Sequence, residues 1–86
     1  MMINTDLLKA LDFIKSGNYQ TGADLEAAHA ICQGGEGMAE YDWVHAFVHR
    51  IEGDSFNADY WYKRAGKPVY DGSFEEEWLE IKSALT

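Results

Sequence analysis

The sequence is poor in cysteine and in positive charge. A single cysteine, Cys32, cannot form an intramolecular disulfide, so nothing implies an oxidising compartment and a cytoplasmic location is expected. Seven Lys and Arg stand against fifteen Asp and Glu, giving a formal net charge of −8. This charge opposes binding to phosphate backbones and to anionic lipid, so neither a nucleic-acid partner nor a membrane partner is predicted.

Long apolar runs are also missing. No segment approaches the ~20 apolar residues that a membrane span needs, and the start MMINTDLL has no basic segment followed by an apolar one. A soluble protein without a secretory signal is therefore expected. An apolar fraction of 47% in 86 residues is enough for one core, which predicts a single helical domain over residues 1–86.

Apolar residues recur at helical spacing along the whole chain, and no segment shows the pattern of a strand. The predicted fold class is all-α, with about five helices packed as antiparallel helical hairpins. The predicted helices cover residues 3–16, about 21–33, about 38–52, 55–65 and 74–85. In the second helix, His29 is expected at the edge of the buried stripe, and Cys32 is expected to be a small core residue.

The helix ends carry local signals. Gly53 fits the left-handed position after the third helix, and Asp54 or Ser55 can cap the fourth. Ser73 and Glu76 form a capping box for the fifth helix. Its acidic side chains, Glu75, Glu76, Glu77 and Glu80, are predicted to form a solvated face, and Val69 and Tyr70 are predicted to fold back onto the core.

The second hairpin has a spacing of small and aromatic residues that is known from repeat proteins. The pattern Gly53-Asp54-x-x-x-Ala58-x-x-x-Tyr62-x-x-Ala65 resembles tetratricopeptide and Sel1-like repeats. The resemblance implies that Ala58 and Tyr62 interlock two helices, with His45 and His49 facing them inside the hairpin. The first hairpin, from Gly17, lacks this pattern.

A longer stretch resembles a family of small, uncharacterised bacterial helical proteins. The segment Trp43 to Gly66, W-V-H-A-F-V-H-R-I-E-G-D-x-x-N-A-x-Y-W-Y-x-R-A-G, is similar to the signature of that family. The Ala-Ala-His of the second helix and the Glu-Glu-Trp of the fifth also fit. The resemblance implies no established activity.

The same segment holds most of the groups that could carry chemistry. The candidate functional patch comprises His45, His49, Arg50, Glu52, Asn57, Tyr60, Trp61 and Arg64. His45 and His49 are four residues apart and share a helix face with Glu52 and Asp42. Either carboxylate could complete a metal site. The zincin pattern is absent, however, because Ala46 stands where a Glu is needed.

Two His side chains hydrogen-bonded to Tyr or carboxylate groups between helices are therefore expected, without a metal or other cofactor; a His45/His49/Glu52 metal site is the alternative. An enzyme with a His general base, a carboxylate that orients it and Arg64 or Arg50 as anion anchor would need a nucleophile, for which only Cys32 and Ser55 are available. It would also need a ligand-sized cleft between the third and fourth helices.

Recognition is the third possibility. Tyr60, Trp61 and Tyr62 are consecutive, and neighbours on a helix diverge by about 100°, so they cannot all point inward. We expect Tyr60 to be exposed, with Phe56 and Arg64 around the same side of the helix. The predicted function is a non-catalytic helical-hairpin interaction or assembly module that binds a protein partner or itself; no small-molecule ligand is indicated.

Overall fold

The computed structural model describes residues 4–86 and contains, within them, five α-helices and no strand, which confirms the all-α prediction. The helices are α1 (Thr5–Ser16), α2 (Ala23–Gln33), α3 (Ala39–Ile51), α4 (Ser55–Ala65) and α5 (Phe74–Leu85). The predicted start of the first helix at Ile3 lies outside the described residues. The second helix begins at Ala23 rather than near Thr21, because Gly22 has a non-helical φ of 149°.

The predicted caps are present. Asp54 accepts a hydrogen bond from the backbone N–H of Asn57 and starts α4. Ser73 and Glu76 bond each other's backbone N–H groups at the start of α5. Gly53, which follows α3, has a φ of 81°, a backbone conformation that residues other than glycine rarely adopt. These local bonds satisfy backbone donors and fix where each helix begins.

Helix α3 lies at the centre of the fold and packs against each of the other four helices. Its apolar face, Val44, Phe47 and Val48, is fully buried, as is Ala46. The residues that the repeat-like pattern places between the helices of the second hairpin, Ala58 and Tyr62, are buried as well. Since α3 touches every neighbour, it fixes the positions of the side chains that it carries.

Two predictions about the C-terminal third are wrong. Glu77, expected on a solvated face, is completely buried. It is accommodated because partners from two other helices reach its carboxylate. Val69 is 57% exposed, whereas Tyr70 is half-buried and lies under the Arg50 guanidinium. Residues 67–70 are not helical, and of the two side chains only Tyr70 packs against the core.

A buried polar network joins three helices around Glu77. Its Oε1 accepts from Arg50 Nη1 at 3.0 Å, and its Oε2 accepts from the Tyr62 hydroxyl at 2.5 Å. Arg50 also donates through Nη2 to the carbonyl of Gly72. Burial raises the pKa of Glu77, while the hydrogen bond from Tyr62 and the charge of Arg50 oppose that rise. The network therefore ties α3, α4 and α5 together.

Helix α5 is also anchored to α1. The indole Nε1 of Trp78 donates to the backbone carbonyl of Leu11 at 2.7 Å, and both side chains are buried.

Among residues 4–86, no helix has the length and apolarity that crossing a bilayer requires.

Replacing Arg50 by Met should lower the free energy of unfolding by about 3 kcal/mol, because Glu77 is left buried without its cation. Adding Glu77→Gln should recover part of this loss, since the amide can still bond Tyr62 and no charge remains buried. Urea unfolding followed by circular dichroism measures both values. Lys63→Met, at an exposed position, is the control; an equal, small loss in Arg50→Met and in this control would contradict the expectation.

Candidate functional site

The three histidines of the sequence meet at the contact between α2 and α3. Nε2 of His29 and Nε2 of His45 are hydrogen-bonded at 2.9 Å. The ring centroids of the three pairs are 4.7 to 5.1 Å apart. Ala28 and Cys32, also on α2, are small and fully buried beside His29 in the sequence. Two His placed four residues apart on α3 are thereby completed by a third from α2.

His45 is the most enclosed of the three. It is 2% exposed, and its ring stacks on Trp61 of α4 with centroids 3.9 Å apart and planes 14° from parallel. Its Nδ1 atom is buried and finds no hydrogen-bond partner among the described residues. Trp61 and the neighbouring rings therefore fix the orientation of His45 through packing rather than through a full set of hydrogen bonds.

His49 is only half-buried and has a carboxylate beside it. Its Nδ1 lies 2.9 Å from Oε1 of Glu52, one turn further along the chain. The two atoms are within ion-pair distance, but Nδ1 of His49 has no hydrogen-bond partner among the described residues. Glu52 itself stays in contact with solvent.

The environment of His29 and His45 disfavours their charged forms. Burial lowers the pKa of His45 to about 4, with further contributions from His29 and His49, whose positive charges would repel its own. The pKa of His29 is lowered for the same reasons, burial first and His49 second. Neutral imidazole has one ring nitrogen that donates and one with a free lone pair. His29 and His45 therefore each present a nitrogen lone pair in the neutral form that their environment favours.

The three residues that could bind a metal ion differ from those predicted, because His29 takes the place of Glu52. Within residues 4–86, His29, His45 and His49 are the group of three whose possible ligand atoms all lie within 4.8 Å of one another. Asp42, an alternative third ligand, instead accepts from the backbone N–H of Gly37 at 3.1 Å. Glu52 is placed behind His49. The sequence analysis did not group His29 with His45 and His49. His29 and His45 are 16 residues apart on different helices, and such a contact leaves no local pattern in the sequence.

The predicted hydrogen bonds of the histidines differ from those observed. His45 bonds another histidine rather than a tyrosine or a carboxylate. The tyrosine that the repeat-like pattern places opposite, Tyr62, donates to Glu77. The aromatic ring that faces His45 belongs to Trp61, which directly precedes Tyr62 in the sequence. A helix rotation of about 100° separates these two residues, which sends them to different sides of α4.

A second group of patch residues lies on the outer side of α4. Arg64 donates to the Tyr60 hydroxyl at 3.0 Å, and its guanidinium lies over the Trp61 ring at 5.1 Å. Tyr60 is 50% exposed, which confirms its predicted exposure, and Phe56, one turn earlier, is 82% exposed. Phe56 was not part of the predicted patch, although its spacing of four from Tyr60 would have placed it there.

Two patch residues serve the fold instead. Arg50 points away from the histidines and pairs with Glu77. Asn57 is held by the α4 cap, where its side-chain amide donates to Asp54 at 2.6 Å. The patch therefore divides into a histidine cluster, an aromatic and cationic face on α4, and two structural residues.

Two cavities adjoin the second hairpin, and neither is lined by His45 or His49. One has a volume of about 190 Å³ and includes Arg50, Ser55 and Tyr62 in its lining, and the other, of about 370 Å³, includes Trp43 and Ala65. The candidate nucleophile Cys32 has no exposed surface, and burial raises the pKa of its thiol to about 12. Neither of these cavities brings a histidine together with Cys32 or Ser55.

In the presence of a chelator, the free energy of unfolding should fall as the pH drops from about 6.5 toward about 4. The unfolded chain takes up protons on His45 at its ordinary pKa, whereas the folded chain resists until a much lower pH, so acid favours unfolding. Urea unfolding at a series of pH values measures this. His45→Phe, which keeps a ring against Trp61, should flatten the dependence between pH 6.5 and 5; an unchanged slope would contradict this assignment.

Comparison with protein-family models, curated proteins and solved structures gave no significant match. The resemblance of Trp43 to Gly66 to a family of small bacterial proteins, and of the second hairpin to tetratricopeptide-like repeats, therefore stays a prediction. The function of this chain has to be argued from its own geometry.

Proposed function

We propose that this chain is a non-catalytic assembly module that pairs with a second copy of itself through the outer side of α4. The α4 face consists of Phe56, Tyr60 and Arg64. The observation that carries the proposal is the exposure of two aromatic side chains, 82% for Phe56 and 50% for Tyr60, one turn apart on a single helix. Aromatic residues and Arg are enriched in the central, energetically dominant parts of protein interfaces.

The spacing of the α4 face is suited to a symmetric pair. Phe56 and Arg64 lie four residues before and after Tyr60. If two α4 helices pack antiparallel about a two-fold axis at Tyr60, Phe56 of each copy lies opposite Arg64 of the other. A guanidinium over an aromatic face is an attractive contact, and the symmetry supplies it twice. The face is thus self-complementary without any charged group being left opposite a like charge.

Local charge favours this face over the rest of an acidic surface. Helix α4 carries two basic residues, Lys63 and Arg64, against one acidic residue, Asp59. Two copies that each carry a net charge of −8 repel one another at long range. Contact through α4 brings positive charge into the interface, which reduces that repulsion where the copies meet.

The α4 face is also partly ordered before any partner arrives. Arg64 bonds Tyr60 and covers Trp61, and Trp61 in turn stacks on the buried His45. Side chains that are already held in place lose less conformational entropy on binding. We place the assembly in the cytoplasm, because a single buried thiol needs no oxidising environment.

Phe56→Ser should raise the dissociation constant of the self-associated form at least about tenfold, the effect of losing about 1.4 kcal/mol at an interface anchor. Sedimentation equilibrium over a range of protein concentrations measures the constant. The folded monomer should keep its stability, because Phe56 is mostly in solvent.

Leu79→Ser is the matched control, since Leu79 is an exposed apolar residue on α5, 53% accessible. It should leave self-association unchanged. A chain that stays monomeric at ~1 mM, the weak limit of specific association, would refute self-pairing. So would a control variant that weakens association as much as Phe56→Ser does.

A further inference from the structure

The histidine cluster has a property that the proposed assembly does not use: it collects every histidine of the chain at one point. His29, His45 and His49 come from two helices, and one ring nitrogen of each lies within 4.8 Å of the others. We propose that these three side chains form a binding site for one Zn²⁺ ion, with the fourth position of its coordination shell left to solvent. Three imidazole ligands and one open position is an established zinc environment.

The distances are close to those that a bound ion requires. Zinc bonds to imidazole nitrogen are about 2.0 to 2.1 Å long, which puts the nitrogens of a tetrahedral site about 3.3 Å apart. The observed separations run from 2.9 Å between the Nε2 atoms of His29 and His45 up to 4.8 Å for the widest pair. His29 and His49 are half-buried at the surface edge and can rotate into place, while Trp61 holds His45.

A purely structural role leaves one feature of the cluster unexplained. Buried polar groups are normally hydrogen-bonded, because leaving one unpaired costs free energy. Here the three rings share one hydrogen bond among residues 4–86, between the Nε2 atoms of His29 and His45. In the metal-free protein, this packing leaves ring nitrogens of the cluster without hydrogen bonds to one another. A bond from ring nitrogen to metal uses the lone pairs that the cluster concentrates.

The surroundings fit a divalent cation. Glu52 lies 2.9 Å from Nδ1 of His49, so a small rotation of the ring gives this pair the hydrogen bond by which carboxylates orient metal-bound imidazoles. Glu36 also lies close enough to His29 to favour positive charge there. Neither carboxylate is needed as a direct ligand. They supply negative charge to an ion whose three protein ligands are neutral.

The donor atoms also select the class of metal. Imidazole nitrogen is a good ligand for Zn²⁺, Co²⁺, Ni²⁺ and Cu²⁺ and a poor one for Mg²⁺ and Ca²⁺, which prefer oxygen. Cys32 is not a competing ligand, because it is buried among the apolar residues of the core and is not a member of the converging group. The exposed acidic residues of the chain could bind metal weakly through oxygen, so the competition between zinc and magnesium separates the two kinds of site.

The test uses tag-free, chelator-treated protein titrated with ZnCl₂ in a calorimeter, with excess MgCl₂ present throughout. One zinc ion per chain is expected. His29→Gln should weaken binding at least tenfold with its metal-free circular dichroism unchanged, since His29 is half-buried and easily replaced. Glu52→Gln should weaken binding about 10-fold or more by removing support from His49. Glu80→Gln, an exposed acid on α5, is the matched control and should bind as the parent does.

Nuclear magnetic resonance gives a second readout, since the chain has only three imidazoles to observe. Zinc should shift the signals of all three together, and a thermal melt should rise with zinc concentration. Zinc uptake that is unchanged in the His29→Gln, His49→Gln double variant, or absent altogether, would overturn the proposal. The Phe56→Ser variant should bind zinc as the parent does, so failure of the assembly proposal and failure of this one are separable.

Discussion

The fold depends on a carboxylate that cannot reach water. Glu77 is completely buried, and a charge in a low-dielectric interior is tolerated only when partners satisfy it. Its two oxygens are held by Arg50 from α3 and Tyr62 from α4, while Glu77 belongs to α5. Any sliding or rotation of one of these helices would break a bond to a buried group. The network therefore fixes the register of three helices at one point, which apolar packing alone specifies less strictly.

The network around Glu77 fixes the orientation of α3, and this orientation determines which α3 residues face α2. Arg50 points toward α5, and His45 and His49 point toward α2, so the helix divides its polar residues between two neighbours. The apolar face packs in between and is fully buried. The second helix packs directly against α3, and this contact brings His29 within hydrogen-bonding distance of His45. The histidine cluster is thus a consequence of helix packing, not of a sequence motif.

The sequence predicts what local rules govern and misses what depends on tertiary contacts. Asp54 at the start of α4 and the Ser73–Glu76 capping box were predictable, because a cap involves residues three apart. The exposure of Tyr60 followed from helix geometry. The burial of Glu77 was not predictable, since four similar glutamates lie on α5 and only its position relative to Arg50 and Tyr62 distinguishes it. The contact between His29 and His45 was not predictable for the same reason.

The packing of Cys32 has a practical consequence. The thiol has no accessible surface, and burial keeps it in the unreactive protonated form. An alkylating reagent can therefore reach it only when the core around α2 opens. Because His29 lies on the same helix, one turn before Cys32, the labelling rate of this natural thiol reports on opening around the helix that carries His29. The protein carries its own probe of the motion that would admit or release anything held there.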